Sequence, residues 1–419
     1  MFGFANALLL ALFAAAGVDL VLALRCKAVG QLFTVPHYLF GDWGGEARAR
    51  WGQRAFLLAL MLYEFTVVFC NSMARENWPF LQGQLAPVLD MIMYTLLCGK
   101  ILLGTRYTWR ELICAGALYF VARWVYFNGQ NIWFLGLVMV LLAAKDVPLR
   151  RSLQAFLGCG VPTLALVEVL HFAGIIAPDA LSERSGSYRL MFGYGHPNTF
   201  GGIVFGLVLA WVLRQAKITW AEIAAVAGVG LFLCKGPASR SPALCAFLLA
   251  VLLVCAKSVG ARKGRKLTAG LCAAMVPVVG AISYILPLFV VKIGPWADEI
   301  GPAWLAKLDS LLTCRISLAW AAYRMYDIKI AGQMLMDWPA IDNIFVYFLY
   351  QFGPVLVVLA GILMAVTLYR LARHGRWQAA ACLLVVLFYG YMETQVIHIT
   401  SDPALLLLVP AVFGDSLSD

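Results

Sequence analysis

Three short stretches put polar, reactive residues just ahead of long apolar runs: Gly193-Tyr194-Gly195-His196-Pro197-Asn198, Pro237-Ala238-Ser239-Arg240-Ser241-Pro242, and Asp342-Asn343. Pro197 and Pro242 suit the first turn of a helix, where a missing N–H costs nothing. Ser241, Asp342 and Asn343 are favoured N-caps. The pattern predicts three helix amino ends, each with unpaired N–H groups and partial positive charge. Such ends, converging around arginines, make a site for phosphate or pyrophosphate. Arg240 lies inside one of the stretches, and Arg315 and Arg324 lie in the connection before the third. These two arginines are nine residues apart, half a turn out of phase on a helix, so one of them faces the site, and Arg315 is the choice.

His196 stands at a helix start, and its ordinary pKa of about 6.5 suits a general acid or base. By residue type alone a histidine there more often caps the helix. Gly193, Gly195, Gly201 and Gly202 around it shift the balance, because glycines let a backbone or a substrate come close. Arg240 reads equally as an anion ligand or as an anchor among lipid headgroups. His171 and His398 sit in apolar stretches and read as structural.

The elements that must position these groups are membrane helices. Of the 419 residues 62% are hydrophobic and 13% are charged, against about a quarter charged in a soluble domain. Lipid is therefore the expected solvent for most of the surface. The net charge is +10, yet no basic stripe or aromatic platform points to nucleic acid. The eleven cysteines form no Cys-x-x-Cys pair and read as small apolar residues.

Runs near the roughly 20 residues of a spanning helix fall at 4–24, 55–73, 85–104, 112–127, 131–144, 153–177, 199–213, 218–234, 242–256, 267–291, 344–369 and 377–394. A shorter run, 403–413, lies against the bundle or spans with help. The short runs 112–127 and 131–144 are candidates for a re-entrant pair. The first run lacks a basic lead-in and reads as a span, not a cleaved signal. The expected fold is an all-α polytopic membrane protein of about twelve transmembrane helices. It is a single integral membrane domain over 1–419, with one large external loop, 292–343, that carries surface helices and Trp296, Trp304, Trp320 and Trp338. Connections on one side carry about twice as many Lys and Arg as those on the other, which assigns the poorer side to the exterior. All three polar stretches fall on that poorer side.

Within the spans, Glu64 is expected to pair with Lys100 or Arg123, and Asp90 is a further intramembrane acid. There is no His-Glu-x-x-His, no Asp-x-Asp and no P-loop. No metal site and no cofactor are expected, so the energy for a reaction must already be stored in the substrate.

The segments Arg189-Leu190-Met191-Phe192-Gly193-Tyr194-Gly195-His196-Pro197-Asn198-Thr199, Ser239-Arg240-Ser241, Leu312-Thr313-Cys314-Arg315, Ile330-Ala331-Gly332-Gln333 and Ile341-Asp342-Asn343-Ile344-Phe345, in that order, resemble the Wzy-type polysaccharide polymerases of Gram-positive bacteria. These belong with the O-antigen ligases in architecture. The resemblance covers roughly residues 185–400, and Lys235-Gly236-Pro237 departs from the usual pattern. It implies a glycosyltransferase, independent of metal and nucleotide, in the bacterial cytoplasmic membrane with its active site facing outside. The enzyme would polymerise repeat units in capsule or exopolysaccharide synthesis, moving a glycan from undecaprenyl pyrophosphate to a sugar hydroxyl of another lipid-linked unit. Arg240, Arg315 and Arg324 would then bind pyrophosphate, His196 and Asp342 would be catalytic, and Asn198, Gln333 and Asn343 would bind sugar or acceptor. A flippase and a chain-length regulator are the implied partners. Two rivals stand beside this reading. One is a ligase passing a finished glycan to a different acceptor; the other is a secondary transporter of polar or anionic solutes, for which Glu64 and Asp90 offer intramembrane charge.

Overall fold

The computed structural model describes residues 7–8, 10–12, 14–18, 21, 35–41, 44–176, 182–184, 187–260, 264–290, 301–336 and 340–413. They form an all-helical membrane protein with two small antiparallel ribbons, His37–Tyr38 with Arg106–Tyr107 and Ser182–Arg184 with Ser187–Arg189. Eight of the described helices are long and apolar enough to cross a membrane. The helices are α1 Gly45–Phe65, extended by a π-helical turn to Cys70; α2 Ala86–Leu103, preceded by another at Leu81–Leu85; α3 Trp109–Gly129; α4 Ile132–Ala143; α5 Leu149–Phe172; α6 Pro197–Arg214; α7 Trp220–Lys235; α8 Arg240–Val259; α9 Lys266–Ile285; α10 Ala303–Leu311; α11 Arg315–Met325; α12 Ile344–Gln351; α13 Pro354–Arg373; α14 Trp377–Met392; and α15 Val409–Phe413.

Local chemistry sets several of these starts. Thr108 with Glu111 opens α3, and Thr219 with Glu222 opens α7, each through a reciprocal capping box. The Asn131 carboxamide caps α4 by accepting from the Phe134 N–H at 3.0 Å. The outer faces of α9 and α13 carry exposed Leu271, Val278, Leu359 and Ile362, side chains that a hydrocarbon solvent tolerates and water does not. Helices α1 and α2 cross where Gly52 meets Gly104; a Cβ on either would collide with the other's backbone.

The segment 344–369 is not one span. It breaks into α12 and α13 at Phe352-Gly353-Pro354. Gly353 has φ +85°, a left-handed geometry that other residues adopt at a cost. Pro354 starts the new helix. The segment 330–333 packs into this break: a Cβ at Gly332 would strike the Gln351 carbonyl, and one at Gly353 the Ile330 carbonyl. The run 344–369 is apolar on average, but Gln351 and the Gly353-Pro354 pair interrupt it where the helix breaks.

Other expectations shift in the same way. The run 112–127 is part of the 21-residue α3, long enough to span, whereas the 12-residue α4 is buried from Phe134 to Ala143. The two do not form a matched re-entrant pair. Residues 403–413 make a 3-10 turn and α15, buried from Pro403 to Val409. The expected span 4–24 lies partly outside the described residues, and Trp296 and Trp338 of the connection 292–343 lie outside them altogether. Within that loop α10 and α11 are helical, and Trp304 is exposed.

The bundle has two poles. At one, Arg151 donates to Gln53, Lys257 to the Ile218 carbonyl and Arg373 to the Gly264 carbonyl. At the other, the ends of α1 and α5 meet the start of α6: the Tyr194 hydroxyl donates to the Val68 carbonyl at 3.1 Å, and the Met73 N–H to the Gly193 carbonyl at 2.8 Å.

Candidate active site

Helices α6, α8 and α12 bring their amino ends together at this second pole, around one buried guanidinium. Arg315, the first residue of α11, is 6% exposed. Its Nη2 lies 2.7 Å from Glu393 Oε1, 3.6 Å from Asp342 Oδ2 and 3.4 Å from the Ser241 hydroxyl. Its Nη1 donates to the Leu312 carbonyl at 2.9 Å, and its Nε to the Met392 carbonyl. The backbone of the turn before it is unusual: Thr313 and Cys314 both have φ near +60°. Asp309 holds that turn by accepting from the Ile316 N–H at 2.7 Å and the Ser317 hydroxyl at 2.9 Å. Arginine direction is thus set by the loop, not by a flexible stem alone.

Asn198 ties the other two stretches in. Its Nδ2 donates to Glu393 Oε1 at 2.7 Å, and its Oδ1 accepts from the Ser239 hydroxyl at 3.0 Å and from Arg189 Nη2 at 3.4 Å. The contact is possible because Gly201 lets Ser239 lie flat against α6; a Cβ there would strike the Ser239 hydroxyl. One turn deeper along the same face, Gly202 admits Gln395, Tyr389 and Ser401, and a turn further Gly206 admits the Thr400 carbonyl. The spacing 198, 202, 206 puts all three on one face of α6. Thr400 Oγ1 in turn donates to Glu64 Oε2 at 2.8 Å. Glu64 therefore pairs with Thr400, not with Lys100 or Arg123.

Two acids share Arg315, and their environments differ. Burial pushes the Glu393 carboxyl above the ordinary carboxylate range; Arg315 pulls it back, and the nearby Asp342 charge adds to the rise. Asp342 is also raised by burial and lowered by Arg315, but its side chain keeps 37% of its exposure. A buried acid and a half-exposed one on a single cation divide the roles: one fixes the arginine, the other is open to exchange.

Not every residue singled out by the sequence joins this cluster in its expected role. Asn343 is the N-cap of α12, its carboxamide oxygen accepting from the Phe345 and Val346 N–H groups. The Gln333 side chain donates to the Asp327 carbonyl at 2.6 Å and holds the turn at 327–333. Ser241 is not a cap; Ser239 occupies that position without a capping bond, and Ser241 reaches Arg315 instead. Arg324 stands exposed on the far side of α11 with its guanidinium over the Trp320 ring, 5.6 Å from the centroid, as a nine-residue offset requires. Arg240 is exposed at the start of α8, between the buried Ser239 and Ser241, with no ion pair to a described residue.

His196 caps α6, its Nδ1 accepting from the Asn198 N–H at 3.1 Å. That bond uses the lone pair a neutral imidazole would offer as a base and leaves the proton on Nε2. In this geometry His196 is a donor, and the expectation of a base there moves to Asp342. Glu393 was missed because it falls at the end of the run 377–394 and reads as part of a span. An acid at the outer end of a span, opposite a predicted buried arginine, was the available signal.

Among the described residues no group of three or more His, Cys, Asp or Glu side chains could hold a metal ion. No protein-family model, no curated protein and no solved structure matches the chain.

Proposed function

We propose that this protein is a glycosyltransferase that polymerises lipid-linked oligosaccharide units, using an undecaprenyl-pyrophosphate-linked donor at the outer leaflet of a bacterial cytoplasmic membrane. The observation that carries the reading is the buried Arg315, held between Glu393 and Asp342 where three helix amino ends meet. A buried cation at the positive ends of converging helices is complementary to a diphosphate, and the half-exposed Asp342 is the partner a diphosphate can displace.

The transfer then runs as follows. The acceptor hydroxyl oxygen forms a bond to the anomeric carbon, and the bond from that carbon to the phosphate oxygen breaks. The electron pair leaves with the diphosphate, whose charge Arg315 and Arg240 stabilise. The hydroxyl proton passes to Asp342, and His196 donates from Nε2 to the departing oxygen or to a sugar hydroxyl. Glu393 keeps the guanidinium aimed while Asp342 moves.

The test uses cells in which the variant protein stays in the membrane. Arg315→Ala is expected to leave single lipid-linked repeat units and to abolish long glycan. Normal chain length in Arg315→Ala would sink the proposal. Long glycans that accumulate on the lipid without reaching a final acceptor would favour the ligase reading instead. A cysteine introduced at 240 and labelled only from the exterior would support the assigned side.

A further inference from the structure

On the same pole, away from Arg315, lies a cavity of about 400 Å³ between the α3–α4 turn, the extended segment 334–336 and α12, within the usual range for a small-molecule site. Among the described residues its wall contains no charged side chain; it is made of Trp133, Asn131, Gln130, Tyr347, Gln351 and two methionines, with leucine, isoleucine and glycine filling the rest. Those residues offer a diphosphate no cation. An aromatic face beside amides and a phenol suits a neutral ring that has C–H faces and hydroxyl edges.

The polar groups are held in advance. Asn131 Nδ2 donates to the Tyr347 hydroxyl at 2.7 Å, which leaves the phenol proton to donate elsewhere. Gln351 Nε2 donates to the Gly129 carbonyl at 2.6 Å, leaving the carboxamide oxygen to accept. Trp133 is 39% exposed, and its ring is fixed edge-on against His398, with centroids 4.7 Å apart. Gln130 has φ +53°, a backbone few non-glycine residues adopt, and its side chain is exposed. Such a constellation loses little freedom on binding. It is also in register with the first site: Asn343, Tyr347 and Gln351 follow one face of α12, so the cavity lies about 7–14 Å along the helix from Asp342.

We propose that this cavity is a saccharide subsite that binds an uncharged pyranose unit of the lipid-linked glycan, away from the sugar that reacts, with Trp133 as its stacking face. Its place in transfer rests on the glycosyltransferase reading; its sugar binding does not. The probe is the neutral oligosaccharide released from the host's own lipid-linked pool by removing lipid and phosphate. Titration into purified full-length protein in lipid nanodiscs is expected to show saturable binding, weakened about tenfold by Trp133→Ala. Trp133→Phe should lie between the two, and Arg315→Ala should bind like the wild type. In turnover, Trp133→Ala should raise KM for the full repeat unit about tenfold with little change in kcat, and should leave a lipid-linked monosaccharide acceptor unaffected. No binding to the wild type, or equal binding to a folded Trp133→Ala, overturns the subsite. Binding that depends on Trp133 in a protein whose Arg315→Ala variant polymerises normally keeps the subsite and removes the transfer mechanism.

Discussion

Two buried cation clusters lie at opposite poles of the bundle, and they are built on different plans. At the basic pole Lys100 is fully buried and donates to the Gly104 carbonyl at 3.0 Å, the Thr105 hydroxyl at 2.8 Å and the Lys145 carbonyl at 2.9 Å. Lys145 is shared by two carboxylates, the buried Glu111 at 3.1 Å and the half-exposed Asp146 at 3.3 Å, and Arg48 donates to the Leu39, Gly41 and Leu103 carbonyls. Most of these acceptors are backbone oxygens at chain turns, which no ligand can replace without unfolding the turn. At the other pole Arg315 is shared by two carboxylates from distant segments, one of them half exposed. The first arrangement ties chain ends together. The second sets a charge with an exchangeable partner where three helix amino ends meet, which is what a binding site for an anion requires. Neither burial nor a half-exposed partner separates the two poles, since Lys145 has both; the helix ends gathered around Arg315 do.

The comparison breaks most visibly at its two centres. Arg315→Ala should lower glycan polymerisation by about a hundredfold or more, the scale of losing a preorganised donor to developing charge, as read from chain length and lipid-linked intermediates. Lys100→Met should do the reverse: destabilise by about 2–4 kcal/mol through three unsatisfied acceptors, seen as a lower melting temperature in detergent, with turnover per folded molecule unchanged. If Lys100→Met abolishes turnover in a folded protein, the division between the poles fails.

A finer test uses pH. The Glu393 carboxyl is raised to about 7, and its charged form is the one that holds the Arg315 guanidinium in place. Activity should therefore fall on the acid side as that carboxylate is protonated, and Glu393→Gln should flatten that limb of the pH profile while costing about tenfold at its optimum, from a looser Arg315. An unchanged limb would show that another group titrates there. Arg240→Ala should raise KM for the donor by about three- to tenfold, because an exposed cation is screened. Arg324→Ala should stay within about twofold, since its guanidinium only covers Trp320; a large loss would return it to the site.

Much of this was legible from residue types. The composition announced a lipid-embedded helical protein, and Pro197, Pro242 and Asn343 marked the helix starts that meet at the site, although the cap expected at Ser241 falls at Ser239. The half-turn offset between Arg315 and Arg324 separated the buried arginine from the exposed one. What could not be read were relations across the fold. Glu393 is 78 residues from Arg315 and looks like the tail of an apolar run. The α12–α13 break was missed for a different reason: the average hydropathy of 344–369 masked a local signal, the Gly353-Pro354 pair that stops one helix and starts the next. His196 had the right chemistry for a base, but only the Asn198 N–H shows that its Nδ1 lone pair is already committed.

Helix α12 is eight residues long, fixed at one end by the Asn343 cap and at the other by the contact between Gln351 and Gly129. It therefore behaves as a gauge of constant length between Asp342 and the aromatic cavity. On the proposed function its rise, about 1.5 Å per residue, would set which unit of a bound glycan sits over Trp133 when a terminal sugar reaches Asp342. One inserted residue would swing Gln351 through about 100° and put the two stations out of registration, so the tolerance of this short rod to insertion would measure how strictly the proposed enzyme counts sugars.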